Sequence, residues 1–319
     1  MINDSTQYIA RISYGKDSLK MLEVIHSRGL PLDRITTTDV WATDTISANL
    51  PTMDAFKSRM DEWIWTHYRI EVEHLCARNK DGSKRTYEQM FYHVPVRKNS
   101  QPVQAGSRFP QESIQGFPDL WNPWCQSGLK RSAKLPPQGS IKGFPGTVGV
   151  NWRQKLKLRV QTPFLPGSTR RARKNIVEYI GIAADEPDRF GQLCDRKRAP
   201  LVEFGIDEGL CGLYCQYNDM LAPTYETSCR DGCWFCHNQG VDQLRSLRRD
   251  WPHHWALLMK WDLDSPVTFK ADGHTVHDFD RRFQMEDEGL IPTDRSFRWS
   301  MLENPPRFVP WVGEQLSLF

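Results

Sequence analysis

Two groups of residues in this 319-residue chain have the types and spacing for chemistry. The first is a polar run near the start: Ser13, Tyr14, Gly15, Lys16, Asp17 and Ser18 (SYGKDS). Glycine lets backbone N–H groups approach a ligand, Lys16 supplies positive charge, and Ser13 and Ser18 supply hydroxyls; together these make an anion cradle. Asp17 is the odd member, because a carboxylate beside a phosphate is unfavourable unless it caps a helix or holds Mg²⁺. The second group is sulfur. Cys233 and Cys236 form a CxxC pair with Cys229 just before it; Cys211 and Cys215 lie four apart upstream; Cys125 is remote, in an aromatic and basic setting. A CxxC pair can hold two thiolates at one metal ion or one cluster edge. Cys125, Cys215, Cys233 and Cys236 make a four-thiolate set suited to a [4Fe–4S] cluster. Cys211, Cys215, Cys233 and Cys236 make an alternative local zinc site, and a redox pair or plain buried thiols are further readings.

These residues need elements to hold them. Residues 8–12 alternate and read as a buried strand, and Leu19, Met21, Leu22 and Ile25 then recur at helical spacing. Strand, tight polar loop and helix aim a helix N-terminus at an anion. The run lacks the GxxxxGK[ST] spacing of a Walker A loop. Residues 34–40 read as a second strand ending in Asp39, with Asp44 beyond. Either carboxylate can face a ribose or a metal, or cap a turn. Leu50-Pro51 opens a helix over 52–68 with Met53, Phe56, Met60 and Ile64 on one face; residues 70–75 make a third strand, and 175–183 another that runs into Asp185, Glu186 and Arg189. This alternation predicts an α/β fold with a doubly wound parallel sheet. A helix over 203–218 places Cys211 and Cys215 on one face, a basic, Trp-bearing helical pattern covers 241–260, and a last helix covers 279–288. The expected organisation is a nucleotide-binding domain at 1–200, a Cys-rich metal-binding segment at 201–245, and a helical C-terminal region with a flexible tail at 246–319.

Charge is uneven. Residues 120–177 contain no Asp or Glu, yet hold twelve of the 42 basic residues, which leaves 30 basic against 39 acidic residues elsewhere. An acid-free basic stretch, with a Pro- and Gly-rich insertion at about 128–174, points to a polyanionic partner. Arg170, Arg171 and Arg173 can grip a nucleic-acid backbone, and Trp121, Trp124 or Trp152 can stack on bases. The opening MINDSTQYIA has neither a basic n-region nor an apolar h-region, and no apolar run is long enough to span a bilayer. A cytoplasmic location without membrane contact is therefore expected, with cysteines serving as metal ligands or catalytic thiols rather than disulfides.

The SYGKDS run is similar to the SGGKDS loop of PP-loop ATP pyrophosphatases, with Tyr14 at a position where that family usually has Gly. Further matching text follows in order: DVWATDTISANLPTMDAFK, IQGFP with WCQSGLK, YIGIAADEPDRF and APTYETSCRDGCWFCHNQ. Together these cover most of residues 8–245, and the chain resembles the phosphoadenosine phosphosulfate (PAPS) reductase family of the PP-loop superfamily, most closely its phage- and mobile-element-encoded members. The resemblance implies a HUP-type domain that binds ATP or another adenine nucleotide. It implies phosphate binding at Ser13, Gly15, Lys16, Asp17 and Ser18, and a [4Fe–4S] cluster on Cys125, Cys215, Cys233 and Cys236. Relatives that make sulfite use a reactive thiol on a mobile tail; here the last cysteine is Cys236.

Three functions follow as expectations. One is ATP-dependent sulfur transfer to, or related modification of, a nucleic acid, with Lys16 and Asp17 at the reacting phosphates and a sulfur donor or reductant protein as partner. A second is a sulfonucleotide (PAPS/APS) reductase working with thioredoxin, which the thiol-free tail disfavours. A third is a non-catalytic nucleotide- or DNA-binding accessory with structural zinc. The five residues from Gln315 to Phe319 (QLSLF) also resemble the peptide by which bacterial replication proteins dock on the β sliding clamp, with Leu318 and Phe319 as apolar anchors.

Overall fold

Five strands, β1 (Gln7–Ile12), β2 (Arg34–Asp39), β3 (Val72–Cys76), β4 (Ile176–Ile180) and β5 (Lys197–Arg198), build one sheet. The structure is a computed structural model of the chain; the residues described are 6–94, 114–118, 123–130, 132–133, 176–191, 193, 196–226 and 232–303. All four pairings are parallel and the order is β3-β2-β1-β4-β5. Ile9 faces Arg34 on one side, and Gln7 faces Ile176 on the other. The chain winds outward from β1 in both directions. The reversal between β1 and β4 opens a crevice at their carboxyl ends, where such sheets take ligands.

A parallel sheet must be covered on both faces. Helix α1 (Lys16–Ser27) buries Leu19, Met21, Leu22, Val24 and Ile25. Apolar side chains on this scale contribute about 1.5–3 kcal/mol each when fully buried. Helix α2 (Pro51–Tyr68) starts at Pro51 and buries Met53, Phe56, Lys57, Met60 and Ile64, the expected stripe with one lysine added. It stops at Arg69, whose φ of 56° is left-handed. Two short helices follow along the described chain, α3 (Tyr87–Phe91), started by a Thr86–Gln89 capping box, and α4 (Pro187–Phe190).

Two long helical readings divide. Residues 203–218 form α5 (Pro200–Glu203) and α6 (Glu208–Tyr217), because Gly205 takes φ +67° between them and Asp207 starts α6 by accepting the Leu210 N–H at 2.7 Å. Residues 241–260 form α7 (Val241–Asp250) and α8 (Pro252–Asp264), broken where Pro252 removes a backbone donor. The last long helix, α9 (Val276–Asp287), begins earlier than its apolar pattern suggests because Thr275 and Asp278 form a capping box.

Two cores result. One joins the sheet, α1, α2 and α6. The other is a ring cluster: Tyr87, Phe91, Phe117, Trp124, Trp234, Phe235, Trp255, Trp261, Phe269, Phe279 and Phe283 pack with the faces of α7, α8 and α9. The residues grouped by sequence as one Cys-rich segment are shared between them. Helix α6 lies on α1, whereas Trp234 and Phe235 belong to the ring core. Trp124, expected as a stacking surface, is 4% exposed and serves as core. Trp121, Trp152, Arg170, Arg171, Arg173, almost all of the basic insertion, and Gln315 to Phe319 lie outside the described residues.

Candidate functional site

The SYGKDS loop sits at the carboxyl end of β1, beside the exit of β4. Ser18 closes it: its hydroxyl donates to the Gly15 carbonyl at 2.8 Å and accepts the Ser13 N–H at 3.3 Å. The Ser18 hydroxyl therefore shapes the loop from a buried position. A close backbone approach does occur, at Gly181, where a Cβ would lie 3.0 Å from the Ser18 backbone N and Cα. Gly15 has an ordinary extended φ of −73° as the residue before α1. The left-handed position falls instead on Tyr14, at φ 61°. A bulky residue there costs on the order of 1–2 kcal/mol. The ring offsets this: it is wholly buried, and its hydroxyl donates to Asp61.

Lys16 stands at the mouth of the loop. Its ammonium pairs with Glu208 in the first turn of α6, lies 3.8 Å from Asp17, and sits 5.4 Å from the centre of the Tyr225 ring. Burial would lower its pKa, but Glu208 and Asp17 outweigh burial and raise it, so Lys16 is held charged. Asp17 moves upward as well, through burial and then repulsion from Glu208 and Glu186, against the pull of Lys16. Its Oδ1 is buried without a hydrogen-bond partner, and the nearby Cys211 thiol opposes the upward shift slightly. The Glu208 N–H donates to Asp185 at 3.1 Å, so the charged group expected after β4 is used to place α6. Sequence patterning missed Glu208, whose distance from Lys16 along the chain hides the pair.

Asp39 ends β2 and is tied from two sides. Its Oδ2 bonds His74 Nδ1 at 2.8 Å, and its Oδ1 meets Lys57 Nζ at 3.4 Å. His74 Nε2 reaches Asp61 at 3.0 Å, and Asp61 in turn holds Tyr14. The loop is thus anchored to α2 and β3 through Tyr14, Asp61, His74, Asp39 and Lys57. Asp44 is engaged elsewhere, receiving Gln89 Nε2 at 3.4 Å. The hydrogen bond His74 donates to Asp39, then the one it donates to Asp61, raises His74 to about 9. A raised histidine contributes stability in full below its unfolded pKa and loses it as pH climbs through the folded value. Stability is therefore expected to decline from roughly pH 6.5 to 9, and His74→Gln should flatten that limb in urea melts taken across the range. An unchanged slope would remove the network from the account.

The thiols fall in two places. Cys215 lies in the sheet core, where its Sγ–H donates to the Lys16 carbonyl at 3.5 Å. Cys211 is buried beside it. Burial and then Asp17 push both thiols up to about 12. Cys125 and Cys233 pack instead against the ring core, with Cys236 completing the CxxC turn: its N–H donates to the Cys233 carbonyl at 3.0 Å. So the structure separates Cys215 from Cys125, Cys233 and Cys236, because the Cys211/Cys215 face of α6 is taken up by α1. Among the described residues no three His, Cys, Asp or Glu side chains are gathered closely enough to hold a single ion. Cys229 and Cys194 lie outside the described residues.

The CxxC turn is fixed from outside. Trp234 donates its N–H to Ala48 O at 3.0 Å and its Nε1–H to Ser47 O at 2.9 Å, which docks the turn on the loop after β2. Gln239 Nε2 donates to Cys233 O at 2.8 Å, and the Lys270 ammonium donates to the His237 carbonyl at 2.7 Å and to that of Gln239. Burial lowers Lys270, and the Cys236 sulfur opposes the shift. Tyr87 lies against the same turn: its ring is 4.1 Å from Phe235 and 4.8 Å from Trp124, the neighbours of Cys236 and Cys125. Burial first, then Cys125, Cys236 and Cys233, hold its phenol proton well above the usual range. Sequence reading missed Lys270 and Tyr87; each looks ordinary in its own segment.

Compared with protein-family models, curated proteins and solved structures, the chain matches none. Among the described residues no helix is long and apolar enough to cross a membrane.

Proposed function

We propose that the chain is a PP-loop enzyme of PAPS reductase type, with a HUP-type sheet domain, that uses ATP to activate an acceptor on a nucleic acid for sulfur transfer. The observation that carries this reading is the position of the SYGKDS loop at the switch point of the parallel sheet, with the Lys16 ammonium at its mouth. Loop amides and Lys16 would take the phosphates and stabilise the charge that builds as the acceptor oxygen attacks the α-phosphate and pyrophosphate leaves. Asp17 would hold a phosphate-bound Mg²⁺. Asp39, already bonded to His74 and Lys57, serves to position the loop rather than to meet the ribose.

Cys125 and Cys233 pack against the ring core, which also holds two buried donors without partners, the Tyr87 hydroxyl and Trp124 Nε1; with Cys236 they are the thiols an iron–sulfur group would take, although among the described residues they are not gathered closely enough to hold an ion as they stand. Cys229, four before Cys233 in the sequence, is the remaining thiol of that stretch. When bound, such a group supplies iron for carrying sulfide. The chain's own part is to wall it with aromatic rings and hold the CxxC turn through Gln239 and Lys270. The acid-free stretch at 120–177 would bind the nucleic acid, in the cytoplasm, and the tail from Gln315 would dock on the sliding clamp.

The test is release of pyrophosphate from ATP by anaerobically purified protein, with duplex DNA and tRNA as acceptors and iron and sulfide assayed alongside. Sulfite made from PAPS with thioredoxin, and no pyrophosphate, would replace this reading by a sulfonucleotide reductase. Zinc in place of iron with no turnover would replace it by a binding accessory.

A further inference from the structure

Tyr14 precedes Gly15 in the SYGKDS loop, at φ 61°, and its ring is wholly buried. Three side chains from neighbouring elements hold it. Asp61 of α2 accepts the hydrogen bond from its hydroxyl. His74 of β3 brings Nε2 to 3.4 Å from the same hydroxyl, with the two rings 6.4 Å apart. The Lys57 ammonium of α2 sits 5.4 Å from the ring centre. The loop's other bonds are local or lead to α6. Ser18 bonds Ser13 and Gly15, the Ser18 and Leu19 N–H groups donate to the Gly15 carbonyl at 3.0 and 3.1 Å, and the Cys215 thiol donates to the Lys16 carbonyl. Among the described residues, Tyr14 ties the loop to α2 and β3. A left-handed backbone at a bulky residue persists only where the surroundings over-determine it. Released, a residue with a Cβ relaxes to negative φ. That turns the peptides on either side of position 14, and with them the Gly15 N–H. The N–H groups at the start of α1, from Lys16 onward, follow directly from that peptide and lack partners within the helix.

We infer that Tyr14 is a positioning residue for the nucleotide phosphates: its buried ring and its bond to Asp61 hold the loop in the one backbone conformation that aims the Gly15 and Lys16 N–H groups at them. The inference rests on the ATP reading given above and says what keeps that site formed before the nucleotide arrives. A site whose binding conformation is only partly populated loses affinity in proportion to that fraction. Loosening Tyr14 should therefore be read as weaker ATP binding by protein that is still folded.

The experiment compares the full-length wild type with Tyr14→Ala, Tyr14→Phe, Asp61→Asn and Asp61→Leu. ATP is titrated into each by calorimetry, and urea stability is measured alongside. Tyr14→Ala should bind ATP about five- to thirtyfold more weakly, the range set by the cost of a left-handed backbone at a residue with a Cβ. Tyr14→Phe keeps the ring and loses only the hydroxyl bond, and should weaken binding by about two- to tenfold. Asp61→Asn keeps an acceptor for that hydroxyl, whereas Asp61→Leu has none. The asparagine variant should therefore bind ATP more tightly than the leucine variant, which should fall with Tyr14→Phe. A merely structural tyrosine would lower urea stability in these variants and leave the affinity of the folded protein as it was. That result would overturn the inference while leaving the ATP site in place, as would equal binding by Asp61→Asn and Asp61→Leu. Failure of the wild type to bind ATP would overturn both. Should Tyr14→Ala fail to fold, Tyr14→Phe and the two Asp61 variants decide the matter by the same comparison.

Discussion

Lys16→Ala is expected to lower ATP-dependent pyrophosphate release by about 10²- to 10³-fold, the usual consequence of removing one preorganised group from a developing negative charge. The lysine is suited to this task. It lies at the carboxyl end of β1, in the first position of α1, and is held charged by Glu208 and Asp17. The apolar face of α1 is made by Leu19, Met21, Leu22, Val24 and Ile25, so the fold should persist by circular dichroism, with a loss of about 1–3 kcal/mol in urea as Asp17 and Glu208 lose their cation. Glu208 supplies the opposite control. Its carboxylate, on a half-exposed side chain, occupies the ammonium that a phosphate would need. Glu208→Gln should tighten ATP by about two- to fivefold, the scale of an exposed ion pair, read by calorimetry with Lys16 intact. Turnover that survives Lys16→Ala within a factor of about three would remove the loop from the chemistry.

Trp261→Ala is expected to cost about 3–5 kcal/mol, among the largest stability losses available to one substitution. Trp261 is wholly buried and stacks on Trp234 with centroids 5.6 Å apart at 11°. It also meets Tyr87 at 5.1 Å, Phe235 at 5.8 Å and Phe91 at 6.0 Å. Removing it opens a cavity between α3, α8 and the CxxC turn. The two cores have separate memberships, so a single unfolding step is not assumed. The loss should fall in the transition reported by near-ultraviolet dichroism of the tryptophans, while the helical signal of the sheet core persists to higher urea. Trp261→Phe should lose less, since a ring remains. A cost below about 1 kcal/mol for the alanine variant would show that the ring cluster does not hold the thiol turn in place.

Both outcomes turn on contacts that spacing along the chain does not reveal. The strands at 8–12, 34–40 and 70–75 were legible because β-branched and apolar residues alternate or run together there. The face of α2 was legible because Met53, Phe56, Met60 and Ile64 recur at helical spacing. Helix ends were less so. Thr275 begins α9 through its side chain, and Gly205 and Pro252 divide two apparent helices by backbone geometry, which an apolar count ignores. The four-thiolate set shows the same limit. Cys215 and Cys233 are near neighbours in the chain, yet α6 turns Cys215 onto α1 while the CxxC turn docks on Ser47 and Ala48.

By itself, the sequence determined the alternation of strands and helices, the polar loop between β1 and α1, and the CxxC turn, because each depends on residues within a few positions of one another. Tertiary structure alone decided the rest. It placed Glu208 on Lys16, set Asp61 and His74 under Tyr14, brought Tyr87 and Lys270 to the thiol turn, and sent Cys215 to the other core. Those pairings join residues far apart in the chain. They arise from the winding of the sheet and the packing of rings, which exist only once the whole chain has buried its apolar surface.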